Sequence, residues 1–138
     1  MKINKNLFNE IINILEFSPY ESGGFLGGCD DTVIKVIYDN EDFRFAEYKP
    51  NNKLLNDILK EWYENDIEFL GIFHTHYPKC TSLSRNDEKF INKFMQEVCD
   101  ENDIMYFPIV IAKSEMCVYK AELIDGICEI KKDEILLV

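Results

Sequence analysis

The chain has 138 residues, of which 46% are apolar and 13% aromatic, enough to bury one continuous core and too apolar for a disordered segment. Its formal net charge is −11, from 15 Lys and Arg against 26 Asp and Glu. Phosphate backbones and anionic bilayers are repelled by such a surface, so neither a nucleic-acid nor a membrane partner is expected.

In chain order, residues 4–17 place Leu7, Ile11, Ile12, Ile14 and Leu15 at helical spacing, and Ser18-Pro19 breaks the helix. Residues 21–29 are dense in glycine yet apolar, a composition suited to a strand lying close against another backbone. Asp30-Asp31 marks a turn. Residues 33–38 form a β-branched strand, and 43–48 alternate as a third. Asn51 or Asn52 caps a second helix whose Leu54, Leu55, Ile58, Leu59 and Trp62 share one face. Residues 67–73 run almost continuously apolar, as in a strand buried on both sides.

A polar loop over 77–83 leads into a third helix, from near Ser84 to about Asp100, with Phe90, Ile91, Phe94, Met95 and Val98 inward. Residues 107–112, 117–123 and 127–131 read as closing strands, and 134–138 as one more strand or a docked tail. No repeat or linker interrupts the pattern. The expectation is one domain over residues 1–138, of α/β (α+β) class, with three helices around a mixed central sheet.

Five cysteines without a Cys-x-x-Cys pair, and an opening segment that lacks an apolar export core, point to reduced thiols in a cytoplasmic protein. No apolar run has the length to span a bilayer.

The chain's two histidines stand two residues apart, in Gly71-Ile72-Phe73-His74-Thr75-His76. On an extended strand that spacing turns both imidazoles to one face. Ser84 and Asp87 follow, completing H-x-H-x7-S-x-x-D. A carboxylate from the next element can close a three-ligand metal site, and three protein ligands leave a coordination position for water, the mark of a catalytic zinc. Ser84-x-x-Asp87 is also a helix capping box, and both roles can coexist: a first-turn Asp is stabilised as the anion by the helix dipole. A zinc hydrolase further needs a proton-transfer group. Glu21 heads the glycine-rich segment, as E-x-x-G-x-L-x-G through Gly24, Leu26 and Gly28.

With that fragment the chain resembles the JAMM (JAB1/MPN/Mov34) zinc metalloproteases, whose motif is a glutamate upstream of H-[ST]-H-x7-S-x-x-D. The resemblance implies an MPN/JAB-like domain of cytidine-deaminase-like architecture and one zinc per chain with a bound catalytic water. His74, His76 and Asp87 would be the ligands, Glu21 the general base and then acid, and Ser84 the oxyanion donor. It departs from many members in that Tyr77 intervenes between His76 and Pro78, and Leu83, not proline, precedes Ser84. Cys80, in the same loop, is conceivable as a fourth, inhibitory ligand.

The short chain is similar to the compact prokaryotic members. For these the implied reaction is hydrolysis after the Gly-Gly tail of a ubiquitin-like protein, in deconjugation, precursor processing or antiphage defence. Alternatives are a peptidase for another substrate and a non-catalytic MPN scaffold. A cytidine deaminase fails for want of its Cys-x-x-Cys zinc pair. Oligomeric state, the modifier and its target are not legible in the residues.

Overall fold

The computed structural model describes residues 1–14, 22–39, 49–77, 80–112 and 115–138. The strand expected over 43–48 and the end of the first helix pattern, residues 15–17, lie outside them.

Among the described residues are three helices and eight strands. In chain order they are β1 (Lys2–Ile3), α1 (Lys5–Ile12), β2 (Gly23–Cys29), β3 (Thr32–Asp39), α2 (Asn52–Glu64), β4 (Glu68–Thr75), α3 (Arg85–Val98), β5 (Ile104–Ala112), β6 (Glu115–Ile124), β7 (Ile127–Asp133) and β8 (Leu136–Leu137). The strands form one sheet in the order β7-β6-β5-β4-β2-β3-β1-β8. It is mixed: β4 runs parallel to β5, and β1 parallel to both β3 and β8, while the other neighbours are antiparallel.

Strand parity divides the core into two layers. Phe25 of β2, Ile72 of β4 and Phe107 of β5 pack against α2 and α3, through Leu55, Ile58, Trp62, Ile91, Phe94 and Met95. Their chain neighbours Leu26 and Phe73, with Val110 and Val118, pack on the other side against Leu7 and Ile11 of α1. This explains the unbroken apolar run of β4: a helix covers each of its faces.

The turns and caps follow local chemistry. Asp30 and Asp31 both take positive φ, 49° and 58°, joining β2 to β3 as the two-residue hairpin turn requires. The Asn51 side chain accepts from the Leu54 amide at 3.0 Å and starts α2. The first helix is shorter than its apolar pattern, since Asn13 caps it while Ile14, beyond the cap, is still buried. The third ends at Val98 rather than near Asp100. The closing residues do form a strand, but only Leu136–Leu137, parallel to β1, which is itself too short to show as a pattern.

Two glycines mark the tightest backbone contacts. A Cβ on Gly28 would lie 1.8 Å from the Thr32 carbonyl oxygen, as expected for the glycine-rich segment. A Cβ on Gly71, three residues before His74, would lie 1.9 Å from the Tyr106 carbonyl oxygen on β5. Gly71→Ala should therefore force β4 and β5 apart and cost roughly 1–3 kcal/mol, read as a lowered urea midpoint. An unchanged midpoint would show that the strand pair has slack.

All five cysteines are free thiols. Burial pushes Cys99 up to about 12, with the charges of Asp103 and Asp100 adding to the shift, whereas Cys29 and Cys80 are exposed. At pH 8 iodoacetamide should modify Cys29 and Cys80 in the native protein and reach Cys99 only on unfolding. Native labelling of Cys99 at the rate of Cys29 would contradict its placement.

Candidate metal centre

His74 is the penultimate residue of β4 and shares the parity of Ile72, so its ring faces the side covered by α2 and α3. Thr75, between the histidines, points to the opposite side and is wholly buried. Its amide donates to the Ser22 carbonyl at 2.8 Å, and its hydroxyl oxygen accepts from the Ser22 amide at 2.9 Å. The His76 amide donates to the Val110 carbonyl at 2.9 Å. The strand end that carries both imidazoles is thus held from β2 on one side and β5 on the other.

The two rings meet edge to face, with centroids 4.5 Å apart and planes at 66°. Their Nε2 atoms are 2.7 Å apart. Nδ1 of His76 is 3.0 Å from the Cys80 carbonyl oxygen. A carbonyl can only accept, so Nδ1 carries a proton, which leaves Nε2 as the nitrogen able to give its lone pair to a metal when one is bound. This is the arrangement by which metal-binding histidines are oriented.

The carboxylate comes from the first turn of α3. The Asp87 amide donates to Ser84 Oγ at 3.0 Å, and the Ser84 amide donates back to Asp87 Oδ2 at 2.9 Å, a complete capping box. The same Oδ2 lies 3.1 Å from His76 Nε2 and 3.4 Å from His74 Nε2. Burial acts to raise the Asp87 pKa, but hydrogen bonds to His74 and His76, the charge of His74 and the Ser84 amide outweigh it. They hold the carboxyl well below the usual carboxylate range. Asp87 is therefore an anion throughout the neutral range.

Three ligand atoms, two imidazole nitrogens and one carboxylate oxygen, converge within 4.8 Å of one another. Tetrahedral zinc with N and O bonds of about 2.0–2.2 Å sets its ligand atoms roughly 3.3 Å apart, close to the spacings here. Aimed at one point, these lone pairs repel unless a proton or a cation sits among them, and the borderline-soft donor set suits zinc. The residues fit the ion.

Beside the centre, α2 and α3 enclose a cavity of about 520 Å³ that reaches His74 and Asp87. Leu55, Leu59, Phe90, Phe94 and Phe107 line it, with Lys49, Lys93 and Glu97 among its charged groups.

Of the five residues singled out in the sequence, the structure brings His74, His76 and Asp87 together and seats Ser84 at the N-cap beside them. Glu21 lies outside the described residues. Cys80 contributes a backbone carbonyl, while its thiol is exposed and stands apart from the ligand cluster. The sequence reading missed that carbonyl, for which no side-chain signal exists, and the Thr75 hydroxyl, whose signal was a lone polar group at the end of a buried strand.

No protein-family model matches the chain, and no curated protein matches it. Solved structures do. A protein from Desulfitobacterium hafniense shares 20% identity at a TM-score of 0.67, over 99% of this chain and 92% of that one. A JAB1/MPN domain protein from Archaeoglobus fulgidus gives 17% and 0.59, over 100% and 97%. A protein from Salinibacter ruber gives 16% and 0.58, over 100% and 92%. The chain has an MPN/JAB-like fold. Among the described residues, no helix is long and apolar enough to cross a membrane.

The double use of Asp87 can be separated by substitution. Asp87→Asn keeps an acceptor for the Ser84 amide but loses the anion, so zinc retention should fall sharply with little change in thermal midpoint. Asp87→Ala should lose both, with about 1 kcal/mol of capping besides. Zinc content by mass spectrometry and a thermal melt distinguish the two; an Asn variant with wild-type zinc would refute the ligand assignment.

Proposed function

We propose that the protein is a zinc-dependent metalloprotease of the JAMM type, an isopeptidase or peptidase that cuts after the Gly-Gly tail of a ubiquitin-like protein. The observation that carries this reading is the convergence of His74, His76 and Asp87 on one point at the end of β4, beside a cavity with room for a peptide. The fold shared with a JAB1/MPN domain protein supports it, as does the five-residue motif.

His74, His76 and Asp87 would hold the ion, with the Cys80 carbonyl orienting His76 and the capping box orienting Asp87. The chemistry zinc supplies when bound is Lewis acidity and the lowering of a water pKa to about 7. Glu21 takes the proton released as water attacks the carbonyl carbon and delivers it to the departing amine. The assignment of Glu21 rests on its place in the five-residue motif. Ser84 Oγ uses a lone pair for the Asp87 amide, and its hydroxyl proton is then available to the oxyanion.

A Gly-Gly tail suits such a centre: without side chains it can lie flat beside strand ends and bind through its backbone, leaving the bulkier residues upstream to occupy the apolar cavity. The acidic surface, at −11 overall, favours a partner with basic character near that tail.

Protein from zinc-replete expression should contain one zinc per chain. Glu21→Gln should keep the zinc and lose roughly 10²–10⁴-fold in turnover, on fluorogenic amides carrying ubiquitin-like tails that end in Gly-Gly. Ser84→Ala should lose about 2.7–4 kcal/mol of barrier lowering. A zinc-free wild type, or a Glu21→Gln variant that turns over normally, would sink the proposal.

A further inference from the structure

The loop after His76 leaves β4, and its far side is tied to β6, two strands away. His74 stands in register with Ile109 of β5, and Ile109 with Cys117 of β6. Cys117 and Tyr119 share the parity of Ala121 and Leu123, so they face the same side of the sheet as His74. Both reach one atom. The Tyr119 hydroxyl donates to the Thr81 carbonyl at 3.0 Å, and the Cys117 thiol donates to it at 3.4 Å. The residue before Thr81 is Cys80, whose own carbonyl accepts the His76 Nδ1 proton at 3.0 Å.

We propose that Tyr119 and Cys117 are positioning residues of the metal centre: by holding the Thr81 carbonyl against β6 they set the Cys80 carbonyl, and through it the tautomer and ring direction of His76. The inference rests on the metal-centre reading above. The physical argument is one of rigidity. A carbonyl in an exposed loop orients an imidazole only if the loop is itself held, and the peptide unit after Thr81, next along from the one whose carbonyl meets His76, is held by two side chains from a strand inside the sheet. Both of these hydrogen bonds end on the Thr81 carbonyl, so their effect reaches His76 through the Cys80–Thr81 backbone. Tyr119 is steadied in turn by Lys132, whose ammonium lies 6.0 Å from its ring centroid.

The test compares wild type with Tyr119→Phe, Cys117→Val, the double variant and Cys117→Ser. Three quantities are read: zinc affinity against a chromophoric chelator, the visible spectrum of the cobalt(II)-substituted protein, and the ¹⁵N shifts of the His76 ring in metal-free protein at pH 8. With two histidines in the chain, the ring assignments are direct. Partners that orient a metal-binding histidine change affinity by about 10–100-fold, and one peptide further out the double variant should lose roughly tenfold.

Its cobalt spectrum should shift, and its His76 nitrogens should move from the single Nδ1–H tautomer towards an average of the two. Cys117→Ser, which keeps a donor, should behave as wild type. A double variant with wild-type affinity, spectrum and ring shifts, even at a lowered thermal midpoint, would overturn the inference and leave the metal centre standing. A wild type that binds no zinc overturns the metal centre instead, and the ring shifts still decide whether Tyr119 and Cys117 govern His76.

Discussion

One carboxylate oxygen holds the candidate centre together. Oδ2 of Asp87 accepts from the Ser84 amide and lies within 3.4 Å of both imidazole Nε2 atoms. The start of α3 and the end of β4 are therefore joined at a single atom, and neither can shift without disturbing the other. The cap gives the carboxylate its direction. The imidazoles, with the favourable end of the helix dipole, keep it ionised despite its burial.

The rest of the fold serves that junction. A helix on each side of β4 leaves the strand no freedom to rotate, and the pleat assigns His74 and Thr75 to opposite faces. The histidine on the α2 and α3 side meets α3, while the threonine is locked to Ser22, just ahead of the neighbouring strand. Parallel pairing of β4 with β5 carries the sheet past the site to β6, where the loop between the ligands is moored. Rigidity of this kind comes from the middle of a sheet, where a strand has partners on both edges.

Much of this was legible in the sequence, for reasons that differ by residue. His74, His76 and Asp87 could be read because ligand chemistry belongs to side chains and their spacing follows strand and helix periods. The starts of α2 and α3 were close because Asn51 and Ser84 are caps with known chemistry. The end of α1 is less plain: Ile14 continues the apolar rhythm and is buried beyond the Asn13 cap, and residues 15–17 lie outside the described residues. Strand β1 was invisible because two residues carry no alternation, and β8 was ambiguous because its pairing partner was β1 itself. The Cys80 carbonyl and the Tyr119 and Cys117 tethers could not be read at all. One is backbone, and the others depend on contacts more than thirty residues apart.

The seven residues between His76 and Ser84 acquire a meaning from these contacts. The span is pinned near its midpoint, at Cys80 and Thr81, which divides its sequence into two short arms. Lengthening the first arm would carry the carbonyl away from the imidazole, and lengthening the second would slide the helix start and its aspartate out of range. The interval works as a measuring rod, and a chain of this design can accept extra sequence there only by forfeiting one of its two ends.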